Sequence, residues 1–150
     1  MKKTFIAFLL FALCHFTYAQ QAVTWQLLYK VKWVTTYFPS LDGFYDMPRF
    51  SKEIKALDGQ QISIKGFYVP VDASGKVFAL SANPSNMCFF CGGAGYESVM
   101  EIIPKPDNTD LKHIKTDKYI EVKGILKLNK SDQNHLMYIL NGADLLNVIK

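Results

Sequence analysis

A chain of 150 residues with 49% hydrophobic and 20% charged content is long enough to bury a core and too apolar for a disordered polymer. Its seventeen basic residues exceed its thirteen acidic ones by four. The signs are interspersed, so no basic run marks a nucleic-acid or membrane-surface partner.

Residues 1–19 read as a secretory signal peptide. Lys2 and Lys3 supply the positive start, and Phe5 to Phe16 the apolar run. Thr17-Tyr18-Ala19 ends it with small residues at the two positions a signal peptidase reads. The run is too short for an ordinary membrane span. A lipoprotein signal would acylate Cys14, but Leu13 stands before it, where such signals carry a small residue. The expectation is a periplasmic or secreted protein with no stable membrane span after cleavage. Loss of Lys2 and Lys3 brings the charge to about +2. Loss of Cys14 leaves Cys88 and Cys91 in a compartment where disulfides persist.

Past the signal, Trp25, Leu27, Tyr29, Val31 and Trp33 alternate with Gln26, Leu28, Lys30 and Lys32. Period two with aromatic and β-branched residues predicts a strand with one buried face. Phe38 to Pro48 holds Pro39, Gly43 and Pro48 among aromatics and reads as an irregular, packed connection. Ser51 is placed to cap one or two helical turns through Leu57. Asp58-Gly59 then turns the chain into a long strand over Gln61 to Val71, with Gly66 marking a bend and Pro70 an exit.

Asp72-Ala73-Ser74-Gly75 is a tight turn, and Val77 to Leu80 runs back as the next strand. Asn83-Pro84-Ser85-Asn86 breaks it. Val99 to Ile103 is a short strand closed by Pro104 and Pro106, and Asp107 to Asp117 is a polar connection. Tyr119 to Leu128 alternates cleanly, with Gly124 in the apolar register where a curved strand needs it. Leu136 to Leu140 is the last clear strand, ended by Asn141-Gly142-Ala143-Asp144 before an apolar tail. Five or six strands, one or two short helices and glycines inside two strands predict a mainly β protein built as a small OB-like β-barrel. Residues 20–150 then form a single domain with an N-terminal extension.

Leu57-Asp58-Gly59 followed by Ile62-x-Ile64-x-Gly66-Phe67-x-x-Pro70 resembles the opening of an exported bacterial family described as a domain of unknown function. Phe78-x-Leu80-Ser81 and the span from Val122-x-Gly124 to Asn141-x-Ala143 fit the same pattern, over roughly residues 50 to 148. The resemblance implies an OB-like barrel and a periplasmic or secreted binding or accessory protein concerned with metal handling. Many members of the family lack a clear Cys-x-x-Cys at this position.

The densest chemistry is Met87-Cys88-Phe89-Phe90-Cys91, followed by Gly92-Gly93-Ala94-Gly95. Cys88 and Cys91 at this spacing can bind a metal, form a local disulfide, or act as a redox switch. A disulfide here closes so short a loop that it contributes only about 2 kcal/mol. Two thiolates are half of a tetrahedral zinc site and suffice for copper(I). Met87, Glu97, His113 and His135 are the candidate further ligands. A thioredoxin-like enzyme would set the motif in a βαβ unit, and that alternation is absent from the sequence. Gly93-x-Gly95-x-x-Ser98 is no dinucleotide fingerprint, and neither a Ser-His-Asp set nor a carboxylate pair is discernible. The expected function is therefore binding or accessory rather than catalytic. Its partner is a metal ion, zinc or copper, or another exported or membrane protein. The alternative is an interaction module in which the two cysteines form a bridge.

Overall fold

The computed structural model describes residues 21–39, 42–71, 78–84 and 95–149. Ten elements of regular structure follow in chain order: β1 (Gln21–Ala22), α1 (Trp25–Leu28), β2 (Lys32–Phe38), β3 (Gly43–Arg49), α2 (Lys52–Lys55), β4 (Gln61–Pro70), β5 (Phe78–Ser81), β6 (Val99–Pro104), β7 (Tyr119–Leu128) and β8 (Tyr138–Ile149). Single 3₁₀ turns at Tyr96–Ser98 and Asp110–His113 flank β6.

Five strands close on themselves. β4 pairs with β5, β5 with β6, β6 with β8, β8 with β7, and β7 back to β4. β6 and β8 run parallel and the other four pairings are antiparallel. A five-stranded mixed barrel in this order has the connectivity of an OB fold. β1 adds one short parallel strand beside β4. The protein is thus mainly β with two short helices, as the alternating runs predict.

The interior follows from the alternation. Ile62, Ile64, Leu80, Met100, Ile102, Ile120, Val122, Leu126 and Leu140 are all buried. α1 and α2 contribute Leu28 and Ile54, both fully buried, to the same core. Tyr138 joins core to helix: its hydroxyl donates to the Leu28 carbonyl at 2.7 Å. The expected cap at Ser51 is present, its Oγ accepting from the Ile54 N–H at 3.3 Å.

Gly66 and Gly124 sit where strands come too close for a side chain. A Cβ on Gly66 would stand 2.6 Å from the Ser81 carbonyl oxygen and 2.7 Å from Leu80 Cγ. One on Gly124 would stand 2.8 Å from Leu140 Cγ and 2.9 Å from the Asn141 carbonyl oxygen. One residue past Gly66, at Phe67, β4 passes from pairing with β7 alone to pairing with β5 as well.

Three expectations are corrected. Trp25 to Trp33 is not one strand: α1 occupies its first half, and β2 begins only at Lys32. The buried positions are Trp25, Leu28 and Val31, a spacing of three, while Trp33 is exposed. The same apolar residues satisfied two periods, and burial against the barrel selected the helical one. Secondly, the stretch from Phe38 to Pro48 is not an irregular packed connection. It belongs to a hairpin of β2 and β3, paired from Lys32↔Arg49 to Phe38↔Gly43, with Phe44 72% exposed. Pro48 is compatible with β3 because β3 is an edge strand. Lastly, β8 does not end at Leu140. Gly142 (φ +59°) absorbs a register shift against β7, and the strand runs on to Ile149.

Two consequences are measurable. Gly66→Ala and Gly124→Ala should each destabilise the barrel by about 1–3 kcal/mol through overpacking, read from urea unfolding. Burial pushes the Tyr68 hydroxyl up to about 12 and also raises that of Tyr138. Tyrosines of the unfolded chain ionise near pH 10. The fold therefore keeps this contribution below that pH and loses it as pH climbs toward 12. Tyrosinate absorbance should show Tyr68 and Tyr138 ionising together with unfolding, not in the native titration.

Candidate functional site

β4, β5, β6 and β8 lie side by side along one wall of the barrel. One rung crosses it through Val69, Ala79, Glu101 and Ile139. Alternation puts Met100 and Ile102 in the core and turns Glu101 outward. The hairpin β2–β3 and the β7–β8 connection (residues 129–137) border the same wall. Together they enclose an open groove of about 980 Å³. In OB barrels this region, strands two and three with the adjoining loops, is the usual ligand face.

Glu101 is the unusual residue of the groove. It is 6% exposed in the middle of a sheet, where a lone carboxylate is costly. Its compensation comes from the β7–β8 connection. His135 Nδ1 lies 2.8 and 3.0 Å from its two oxygens, and the Leu136 N–H donates to Oε2 at 3.1 Å. A carboxylate facing Nδ1 fixes the imidazole orientation and presents Nε2 as the nitrogen for a further partner. The connection itself is shaped locally. Asn129 Oδ1 accepts from the Ser131 and Asp132 N–H groups, and its amide donates to the Asp132 and His135 carbonyls. The Asn134 N–H, with smaller help from the Asn134 amide and His135, holds the Asp132 carboxyl below its ordinary range.

The opposite lip is aromatic. Trp33 and Tyr96 meet with ring centroids 6.0 Å apart and planes inclined at 61°. The Trp33 indole N–H donates to Glu97 Oε2 at 3.3 Å. Phe44, Tyr45 and Asp46 of the hairpin line the same space, and Asp46 accepts from the Thr35 hydroxyl at 2.7 Å.

The residues singled out in the sequence are distributed as follows. Cys88, Cys91 and Met87 lie outside the described residues. Glu97 is half-buried in the 3₁₀ turn that leads into β6, beside the groove. His135 lies on the groove, against Glu101. His113 is exposed in the turn that follows β6, at the other end of that strand. His113 does not line the groove. Among the described residues no three His, Cys, Asp or Glu side chains converge on a metal-sized site. Motif and spacing in the sequence do not single out Glu101 or Asp46. The one local hint was a charged residue inside the apolar run Val99 to Ile103.

Glu101→Ala would leave the Leu136 N–H and His135 Nδ1 without their acceptor. It should cost about 1.5–3 kcal/mol in urea unfolding, the range for hydrogen bonds to a charged group. The double-mutant cycle with His135→Ala should return a coupling well above the ~0.5 kcal/mol expected of independent sites.

No protein-family model matches the sequence, and no curated protein does. Similarity appears in three dimensions. A crystal structure of a DUF3299 family protein from Pseudomonas aeruginosa PAO1 aligns with 88% of this chain and 99% of its own, at a TM-score of 0.50 and 14% identity. At that identity the likeness is one of fold: the chain is built on the β-barrel plan of a DUF3299 family protein.

Proposed function

We propose that the chain is an exported binding protein in which Cys88 and Cys91 take up a soft metal ion, zinc or copper, with His135 as a further ligand. The observation that carries the reading is the Glu101–His135 pair. A histidine that ligates a metal commonly turns its other ring nitrogen to a carboxylate, which fixes the tautomer and raises the basicity of the ligating nitrogen. Here the carboxylate is buried at the groove and faces Nδ1. Among the described residues Nε2 has no hydrogen-bond partner, so it is the atom assigned to the metal. The Cys-x-x-Cys spacing provides the two soft donors. Met87, Glu97 and His113 remain the candidates for a fourth position.

The test is metal uptake by reduced protein in calorimetry. One Zn²⁺ or Cu⁺ should bind per chain, and Cys88→Ser or Cys91→Ser should abolish it while circular dichroism stays unchanged. Glu101→Gln should weaken binding by roughly 10–100-fold, the usual cost of losing a ligand's orienting partner. Affinity should fall as pH drops, because thiols and imidazole must shed protons to bind. Uptake no greater than that of the double Ser variant would reject the metal site. A local Cys88–Cys91 bridge would then take its place.

A further inference from the structure

The described lining of the groove has a charge and aromatic pattern of its own. Among the described residues four charged side chains and one histidine line it: Asp46, Glu101, Asp132, Lys130 and His135. Three carboxylates thus face one ammonium and one imidazole, and Glu97 adds a fourth carboxylate at the lip, bonded to Trp33. The described lining is thus acidic in a chain whose formal net charge is +4. An anionic ligand such as a phosphate or a nucleic-acid strand meets repulsion here, and a cation meets attraction.

The aromatic lip decides which cation. Hard inorganic ions are held by oxygen or nitrogen donors, whereas a diffuse, poorly hydrated ammonium is held by ring faces. Trp33 and Tyr96 stand as two adjoining walls, 6.0 Å apart and inclined at 61°. Donation of the indole N–H to the Glu97 carboxylate leaves the Trp33 ring richer in electrons, which strengthens its attraction for a cation. The pairings Trp33↔Pro48 and Thr35↔Asp46 place Trp33 and Asp46 on one face of the hairpin, as diagonal neighbours. The carboxylate of Asp46 therefore lies on the side of the hairpin that carries the Trp33 ring. A volume of about 980 Å³ suits a small organic molecule.

We propose that this groove binds a small organic cation of the quaternary ammonium class, its head in the corner against the Trp33 and Tyr96 rings and its charge balanced by Glu97 and Asp46. The reading goes beyond the metal site and uses none of its thiols; Glu97 is the residue the two readings share, and the Cys→Ser variants separate them.

Choline and its neutral isostere 3,3-dimethylbutan-1-ol separate charge from shape. Ligand-observed NMR and Trp33 fluorescence on the full chain should give choline an affinity at least about tenfold above that of the alcohol. Trp33→Leu keeps apolar area but removes the π face and should erase the preference. Circular dichroism and the buried Trp25 report whether that variant is folded. Tyr96→Leu serves the same purpose if it is not. Asp46→Asn should lower choline affinity severalfold and leave the alcohol unchanged, and the double Cys→Ser variant should bind choline like the parent. Equal binding of choline and alcohol, a preference that survives both ring substitutions, or no choline binding at tens of millimolar would each overturn the proposal.

Discussion

Closure of the barrel at β4 is the constraint from which the rest follows. One ten-residue strand must pair with β7 along its first seven residues and with β5 along its last four. Both pairings include Phe67, so the strand bends across the space beside Gly66, where the Ser81 carbonyl leaves no room for a Cβ. Opposite, Gly124 opens the same kind of space for β8. Without these two close approaches the five strands would form an open sheet, and Ile62, Leu80, Val122 and Leu140 would lose their shared interior.

Closure also creates the groove. Bringing β6 beside β8 as a parallel pair places Glu101 next to Ile139 and within reach of the connection that precedes β8. The side chain faces away from the core, yet its apolar strand neighbours and the β7–β8 connection exclude water from it. Its stability comes from His135 and the Leu136 N–H. The hairpin stands over the same wall, tied to the barrel by the Trp33–Glu97 hydrogen bond and the Trp33–Tyr96 ring contact. A polar pair on one side and an aromatic corner on the other are thus set by two separate pieces of chain, each anchored to β6.

Much of the barrel was legible in the sequence because its strands obey one period. Tyr119 to Leu128 alternates without a break, and Asp58-Gly59 and Ser51 announce their turn and cap. The N-terminal segment was not legible, because Trp25, Leu28 and Val31 satisfy a helical spacing while Trp25, Leu27 and Tyr29 satisfy a strand. Local pattern cannot choose between them, and packing against the barrel does. The hairpin was obscured by Pro48, which a strand tolerates when it lies at the edge of its sheet. Of the site, a motif search reaches residues close in sequence, such as Cys88 and Cys91. Trp33, Asp46, Glu101 and His135 come from four segments that only the fold brings to one groove. His135 was named as a lone histidine, but its partner Glu101 lies 34 residues away.

The separateness of the hairpin has a bearing on the molecule's solubility. β2 and β3 pair with one another and form a two-stranded sheet of their own. Each therefore presents an outer row of backbone donors and acceptors, alongside exposed Tyr37, Phe44 and Tyr45. Such a ribbon is a template for adding a strand from another molecule. Pro48 removes one donor from the β3 edge, and Lys32 and Arg49 stand directly opposite each other at the base. Stacking a second copy in register would bring like charges together there. The same aromatics can thus stay open to a ligand while the ribbon resists growing into a larger sheet.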